Sequence, residues 1–181
     1  MPAYERTDRY STVAIWLHWT IALLVLVNIA VGLLHDPIPA LRGWMAGHKA
    51  IGITVLVLTL GRIIWRITHP APPLPADVPA AEKGLGHATH FAFYALLLAM
   101  PVTGWMMVSG SAKPGGLTWF GLFDIPYLSV SKATSGFGHA AHGVLGWLML
   151  ALVVLHVAGA LRHHLILRNN VLARMAPAVR R

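Results

Sequence analysis

Two histidines, His142 and His156, stand fourteen positions apart in one apolar segment of the chain. An α-helix advances about 1.5 Å and turns about 100° per residue, so fourteen steps cover about 21 Å and end within about 40° of the starting direction. One helix would therefore present two imidazoles to the same side, separated by most of the roughly 30 Å hydrocarbon thickness of a bilayer. Imidazole is a metal ligand, and ionisable groups at membrane depth are usually functional. The pair predicts metal centres at two depths of a membrane.

The hydropathy pattern predicts an all-α membrane protein, a four-helix transmembrane bundle in one domain covering residues 1–181. Apolar residues make up 56% of the chain and charged residues 11%. Three uncharged runs exceed the ~20 residues that span a bilayer, and a shorter fourth run has Lys and Arg ends that can snorkel. The predicted helices cover 11–34, with Ser11 as N-cap, 44–66, 86–108 and 138–162. A Pro-rich cytoplasmic linker is predicted at 67–85, and an outer loop or short interfacial helix at 109–135.

The placement of basic residues predicts the orientation of the bundle. With the N-terminus in the cytoplasm, ten basic residues lie inside and four outside, which satisfies the positive-inside rule with both termini cytoplasmic. Basic ends beside anionic lipid account for the net charge of +8 without a nucleic-acid partner. The inner set is Arg6, Arg9, Arg62, Arg66, Lys83, Arg162, Arg168, Arg174, Arg180 and Arg181, and the outer set is Arg42, Lys49, Lys113 and Lys132.

Alternating helix directions convert sequence position into depth. His18 lies early in the outgoing first helix, on the inner side, and His48 opens the incoming second helix, on the outer side. On the incoming fourth helix His142 is outer and His156 inner. The pairs that can meet are therefore His18 with His156 and His48 with His142. A low-spin haem takes two axial ligands from opposite sides, and the absence of cysteine excludes thiolate or thioether attachment, so two non-covalent bis-histidine haems b are predicted.

Other histidines leave alternatives open. His87 and His90 open the third helix on the inner side, so either could replace His18 as partner of His156, and the residues alone do not choose. A single transmembrane histidine often only hydrogen-bonds a neighbouring helix, which makes a haem-free bundle the structural alternative. Outside these pairs, His139 is expected at the outer interface, and His35 and His69 are expected to be solvated. The methionines on the outer side are expected to pack against apolar neighbours rather than bind iron; they are Met45, Met106 and Met107.

Several motifs resemble one known family over nearly the whole chain. They are Ile15-Trp16-Leu17-His18-Trp19, His48 with Gly52, Gly84-Leu85-Gly86-His87-Ala88-Thr89-His90, Pro101-Val102-Thr103-Gly104, His142 and His156 followed by His163-His164, and the tail Asn169-Asn170…Arg174-Met175-Ala176-Pro177. The chain resembles the prokaryotic di-haem cytochrome b561 family, four-helix multi-pass b-type cytochromes of the bacterial inner membrane. The resemblance implies His18, His48, His142 and His156 as iron ligands, which removes His87 and His90 as rivals by analogy.

The resemblance implies electron transfer between the outer face and the quinone pool. Similar members oxidise superoxide and reduce ubiquinone, so a superoxide-to-quinone oxidoreductase in the lipid bilayer is the leading hypothesis. The alternative is a haem-binding relay or anchor subunit that links a dehydrogenase, a hydrogenase or a soluble cytochrome to quinone. The brevity of the chain and the lack of an added redox domain favour the enzyme.

Further candidate residues surround the predicted haems. Lys49 directly follows His48 and is expected to attract superoxide, helped by the other outer cations. His163 lies two helical turns beyond His156, about 10 Å nearer the cytoplasm, and is expected to contact quinone and relay protons with His164 beside it. Partners for the inner-haem propionates are expected among Arg62, Arg66, His87, His90 and Lys83.

Overall fold

Four long helices form the protein in the computed structural model, which describes residues 9–73, 78–114 and 116–176. They are α1 (Thr12–Leu34), α2 (Met45–Thr68), α3 (Ala80–Ser109) and α4 (Lys132–Leu161). A 3₁₀ turn, Pro39–Trp44, leads into α2, and a single π turn, Arg162–Ile166, follows α4. Within these ranges, four helices are long and apolar enough to cross a membrane, so the predicted all-α transmembrane fold is confirmed. Arg6, Pro177, Arg180 and Arg181, used in the sequence-based reasoning, and residues 74–77 of the predicted linker lie outside the described residues.

Capping residues, rather than the ends of the apolar runs, determine where the helices begin. Ser11 caps α1 as predicted, because its hydroxyl accepts a hydrogen bond from the Ala14 N–H at 3.3 Å. Ser131 caps α4 in the same way, so α4 begins six residues before the predicted start at 138. Pro79 precedes the first residue of α3, with Glu82 in the first turn, where a carboxylate suits the helix dipole. The predicted linker 67–85 therefore ends at Pro79, because residues 80–85 are helical.

The outer connection contains a small hairpin rather than a helix. Strand β1 (Thr118–Trp119) pairs antiparallel with β2 (Phe123–Asp124), with Thr118 opposite Asp124. The turn between the strands passes through Gly121 at φ 76°, a conformation that favours glycine. The indole N–H of Trp119 donates to the Thr54 hydroxyl on α2 at 3.0 Å. The hairpin is thereby fixed over the outer half of the bundle.

One apolar layer, with a residue from each helix, forms the centre of the bundle. Ile21, Val55, Leu97 and Met149 are buried there and pack together. Met149 lies midway between His142 and His156 on α4. The layer therefore separates an outer histidine level from an inner one.

Helices α3 and α4 pack most extensively and cross closely at Gly138. A Cβ atom on Gly138 would lie 2.9 Å from the Thr103 carbonyl oxygen and 3.0 Å from the Met107 nitrogen. Both are backbone atoms of α3, so a side chain here could be accommodated only by separating the helices. Small residues at such crossings allow helices in membranes to approach each other. This crossing lies one turn before His142.

The segment after the π turn folds back across the inner end of the bundle. The Trp19 indole donates to the Met175 carbonyl at 2.8 Å, and the buried Arg174 donates to the Pro73 carbonyl at 2.8 Å. These contacts hold the segment against α1 and against the linker between α2 and α3.

Candidate functional site

The outer level contains His48 on α2 and His142 on α4. Their ring centroids lie 6.1 Å apart, with planes at 82°. The Met100 carbonyl accepts a hydrogen bond from His142 Nδ1 at 3.0 Å. Because a carbonyl only accepts, Nδ1 carries the proton and Nε2 keeps its lone pair, which is the arrangement of a metal-ligating histidine. The structure therefore brings together the outer pair that depth predicted.

The spacing of the outer pair matches two imidazoles on one metal ion. Imidazole nitrogens bond such metals at about 2.0–2.1 Å, and each ring centroid lies about 1 Å behind its nitrogen, which gives centroids about 6 Å apart. No group of three or more His, Cys, Asp or Glu side chains suited to a metal ion occurs in residues 9–73, 78–114 and 116–176. Two imidazoles suffice for a haem, because the porphyrin supplies the remaining four nitrogens.

Two glycines contact the rings of the outer pair. A Cβ on Gly32 of α1 would lie 3.1 Å from His48 Cε1, and a Cβ on Gly104 of α3 would lie 3.0 Å from His142 Cε1. Each ring thus rests against the backbone of a neighbouring helix. This contact limits ring rotation and orients both imidazoles toward the space between the helices.

A cavity of about 590 Å³ surrounds the outer pair. Its size lies in the range of small-molecule and cofactor sites, and most of its wall is apolar. His35, Asp36 and His139 add polar groups to the wall. His35 was predicted to be solvated, but it is half-buried and its Nδ1 lies 2.9 Å from the Gly32 carbonyl oxygen. His35 continues the last turn of α1 as its C-cap, and at this position it lines the cavity and is not fully solvated.

Lys49 also lines this cavity and is half-buried. Its ammonium group donates a hydrogen bond to the Gly116 carbonyl in the outer loop. The contact ties the loop to α2 just above His48. A positive charge is thereby held at the cavity wall.

The inner level contains His18 on α1 and His156 on α4, with ring centroids 6.2 Å apart. His90 on α3 is also close to His156, at 6.0 Å. The structure therefore brings both candidate partners to His156 and does not choose between them. His87, the other rival, is exposed and makes no ring contact with His156 among the described residues. Arg62 donates to His18 Nδ1 at 3.2 Å, so the neutral His18 ring carries its proton on Nε2, opposite to His142. His18 would have to give up this contact in order to bind a metal through Nε2.

A basic pocket of about 390 Å³ opens at the inner end of α1 and α2. Arg62 lies over the Tyr94 ring and Arg66 over the Tyr10 ring, each at 5.9 Å, and Arg9 completes a set of three guanidinium groups. No carboxylate belongs to the described lining. Guanidinium groups bind carboxylates in a bidentate manner, so the pocket suits anionic groups such as haem propionates.

His163 lies apart from both levels, in the π turn after α4. Its Nδ1 is 3.0 Å from Asn169 Nδ2, and its Nε2 is 3.6 Å from Glu82 Oε2 on α3. Arg162 donates to Glu82 Oε1 at 2.9 Å. Sequence reasoning missed Glu82, although it is one of only six acidic residues and stands at a predicted membrane boundary. The rarity of acidic residues near the predicted membrane boundaries is the feature by which the sequence could have identified Glu82.

Comparisons with known proteins agree with this architecture. Residues 9–178 match the family model described as prokaryotic cytochrome b561. "Cytochrome b561 homolog 2" of Escherichia coli K12 is 33% identical over 174 residues, 93% of this chain and 91% of the relative. "Probable superoxide oxidase CybB" of Yersinia pestis is 30% identical over 176 residues, 95% of this chain and 98% of the relative. The chain therefore belongs to the prokaryotic cytochrome b561 family, membrane electron-transfer proteins that bind b-type haem.

Proposed function

We propose that this protein oxidises superoxide at the outer face of the bacterial inner membrane and reduces ubiquinone at the inner face. The observation that carries the proposal is the pair of imidazole couples, 6.1 Å and 6.2 Å between ring centroids, at two levels of one bundle. The name of the Yersinia pestis relative, a probable superoxide oxidase, supports superoxide as the donor. Bound haem b would supply reversible one-electron chemistry at each level.

The described residues fit two haems. At the outer level His48 and His142 would be the ligands, in an apolar cavity whose glycine contacts hold both rings. At the inner level the ligands would be His18 and His156, where the family resemblance favours His18 over His90. Arg62 and Arg66 in the basic pocket would hold the inner propionates. His87, exposed at the start of α3, is a weaker candidate for the same role.

The charge distribution supports this orientation with both termini in the cytoplasm. Arg9 precedes α1, Arg66 lies in the last turn of α2 and Arg162 follows α4, all at one end of the bundle. Lys49 and Lys132 lie at the other end, each near the start of a helix. The arginine-rich end is the one expected to face the cytoplasm.

Superoxide and quinone place different demands on the two ends. Superoxide is an anion that leaves as dioxygen after losing one electron, so the outer site needs positive potential and no proton donor. The Lys49 ammonium group at the cavity wall supplies that potential. Ubiquinone takes up two electrons and two protons to become ubiquinol, so the inner site needs a proton donor. His163 is the candidate donor, since it lies at the inner end of α4.

The decisive test adds pulses of superoxide to the purified haem-loaded protein, with and without a soluble ubiquinone. We expect the haem absorption to change to the reduced form faster than superoxide decays spontaneously, and to return when quinone is present. Reduction no faster than that decay would identify the protein as a relay subunit for another donor. Absence of a b-type haem spectrum would leave only the haem-free bundle.

Replacing Lys49 by glutamate should slow haem reduction by superoxide by about tenfold at low salt, because the outer site loses the positive charge at its cavity wall and gains a negative one. The ionic-strength dependence should also weaken, since less attraction is then left for salt to screen. Stopped-flow mixing at several salt concentrations measures both effects.

Two control variants separate the charge of Lys49 from its contact with Gly116. Lys49→Arg keeps the charge and a donor, and should react like the wild type. Lys49→Gln keeps a donor but loses the charge, and should be intermediate. A Lys49→Gln rate equal to that of the wild type at low salt would show that Lys49 only anchors the outer loop.

A further inference from the structure

We infer that one end of the basic pocket, formed by Arg9, Ser11 and Arg66, binds the phosphate group of an anionic phospholipid of the inner leaflet. This end is called the phosphate site. The inference adds a lipid ligand to the haem propionates proposed for the same pocket, and it does not depend on the electron donor or on quinone. Its basis is the depth of the pocket, its charge and its hydrogen-bond donors.

The phosphate site lies at the level of the lipid headgroups. Helix α1 has 23 residues, so it is about 34 Å long, slightly more than the roughly 30 Å hydrocarbon thickness of a bilayer. Ser11 and Arg9, which precede this helix, therefore lie at the inner boundary of the bilayer. The Trp65 indole N–H donates to Ser11 Oγ at 3.0 Å, which brings the end of α2, with Arg66, to the same level. Lipid phosphates occupy this level.

The pocket carries more positive charge than the haem propionates can neutralise. Three guanidinium groups line it, and no carboxylate belongs to its described lining. A haem has two propionates, so pairing both with these arginines would leave one positive charge without a counter-ion in that lining. A phosphodiester such as that of phosphatidylglycerol carries one negative charge. Basic pockets between transmembrane helices on the cytoplasmic side bind such anionic headgroups.

The three arginines lie at different depths, so a haem and a lipid can share the pocket. Arg62 donates to His18 Nδ1 at 3.2 Å, and His18 lies about 10 Å deeper along α1 than Ser11. Arg9 is exposed before the helix. Arg66 follows Arg62 by one helical turn and lies over the Tyr10 ring at 5.9 Å. A guanidinium group has five N–H donors, so Arg66 can contact a propionate on one side and a phosphate on the other.

The Ser11 hydroxyl group has a proton left to donate. Its Oγ atom accepts hydrogen bonds from the Ala14 N–H at 3.3 Å and from the Trp65 indole at 3.0 Å. A hydroxyl oxygen has two acceptor lone pairs and one O–H donor, so both lone pairs are in use. Ser11 is also the N-cap of α1, where the helix dipole favours an anion. A phosphate oxygen in the pocket would accept the remaining O–H.

Apolar side chains beside the phosphate site suit the acyl chains of a lipid. Val13 on α1 and Ile64 and Ile67 on α2 are 42%, 64% and 74% exposed. In a transmembrane bundle such side chains face the hydrocarbon of the bilayer. A basic pocket next to an exposed apolar surface fits a ligand with an anionic head and apolar tails, whereas a free phosphate ion would use only the pocket.

The test measures phospholipid binding to the purified haem-loaded protein after native lipids have been removed by detergent exchange. Native mass spectrometry counts the bound lipids during titration with phosphatidylglycerol and, separately, with zwitterionic phosphatidylcholine. We expect phosphatidylglycerol to bind at least tenfold more tightly. Arg9→Gln should weaken its binding by about fivefold, and Arg9→Gln combined with Arg66→Gln by about 25-fold, because each basic residue adds to the attraction for the anionic headgroup. Binding of phosphatidylcholine should not change.

Arg168→Gln is the matched control. Arg168 is another exposed arginine near the inner end of α4, and it does not belong to the described lining of the pocket. This variant should bind phosphatidylglycerol like the wild type, and Arg9→Gln should keep the wild-type haem content. Equal binding of the two lipids by the wild type, or equal weakening in Arg9→Gln and Arg168→Gln, would overturn the phosphate site. Loss of the inner haem in Arg9→Gln would assign that arginine to the propionates and overturn the site as well.

A competition experiment separates a lipid ligand from a free phosphate ion. Inorganic phosphate is added to the complex with phosphatidylglycerol at constant ionic strength, with chloride as the reference anion. We expect the lipid to stay bound, because its acyl chains contribute contacts that a free ion lacks. Displacement by phosphate but not by chloride would show that a free anion is the ligand and would overturn the assignment to a lipid.

Discussion

Replacing His142 by alanine is expected to remove the outer haem and leave the inner one, and replacing His156 by alanine is expected to do the reverse. Each variant should keep about half of the wild-type haem, because the proposed coordination gives each haem one histidine from α4 and each variant removes only one of these ligands. The two levels are separated by the apolar layer around Ile21 and Met149, so the loss of one haem leaves the other set of ligands in place. Haem content per protein and reduced-minus-oxidised spectra measure the result.

A second pair of variants decides which histidine opposes His156. Both His18 and His90 have rings about as far from His156 as two ligands of one iron, at 6.2 Å and 6.0 Å. An iron has only two axial positions, so one of the two must be a neighbour rather than a ligand. We expect His18→Ala to remove the inner haem and His90→Ala to keep it with a small spectral shift. The opposite result would assign His90 as the ligand.

The controls for these variants use histidines outside the two levels. His69→Ala should keep both haems, since His69 is exposed and stacks on Trp65 at the inner end of α2. Two haems retained in His142→Ala or in His156→Ala would contradict the proposed coordination. Loss of both haems in either variant, with the protein still folded, would show that the two sites form cooperatively.

Sequence periodicity and bilayer thickness were sufficient to predict the helices and the meeting of the histidine pairs. A helix rises by a constant amount per residue, so positions such as 142 and 156 translate directly into depth. Depth then restricts which residues of different helices can meet, whatever the lateral arrangement of the helices. The adjacency of His48 and His142 in the structure follows from that constraint.

The lateral arrangement of the helices and local irregularities such as the π turn could not be predicted from helix periodicity and bilayer thickness. Depth places His18 and His90 equally near His156, and only the packing of α1, α3 and α4 shows that both rings reach it. The contact between Glu82 and His163 depends on a π turn and on a start of α3 six residues earlier than predicted. Neither feature has a hydropathy signal, because both arise from a few backbone hydrogen bonds near polar residues.

The close crossing of α3 and α4 predicts a large effect of one added methyl group. In Gly138→Ala the new Cβ would meet the Thr103 carbonyl oxygen at 2.9 Å and the Met107 nitrogen at 3.0 Å. Backbone atoms of a helix cannot rotate away, so the two helices must separate. Overpacking of this kind costs about 1–3 kcal/mol. Because His142 lies one turn further along α4, its ring should also move relative to His48 and weaken the outer haem.

Gly136→Ala is the matched comparison, two residues away on the same helix, where an added Cβ meets nothing within 4 Å. Both substitutions replace glycine by alanine in a helix, which stabilises the helix by about 1 kcal/mol in each case. The difference in stability between the two variants therefore measures the cost of the steric clash at Gly138. We expect Gly138→Ala to unfold at a lower temperature than Gly136→Ala and to show a shifted or depleted outer-haem spectrum with the inner haem intact. Identical melting and identical spectra would mean that the helices separate without cost, and that the position of His142 does not depend on this crossing.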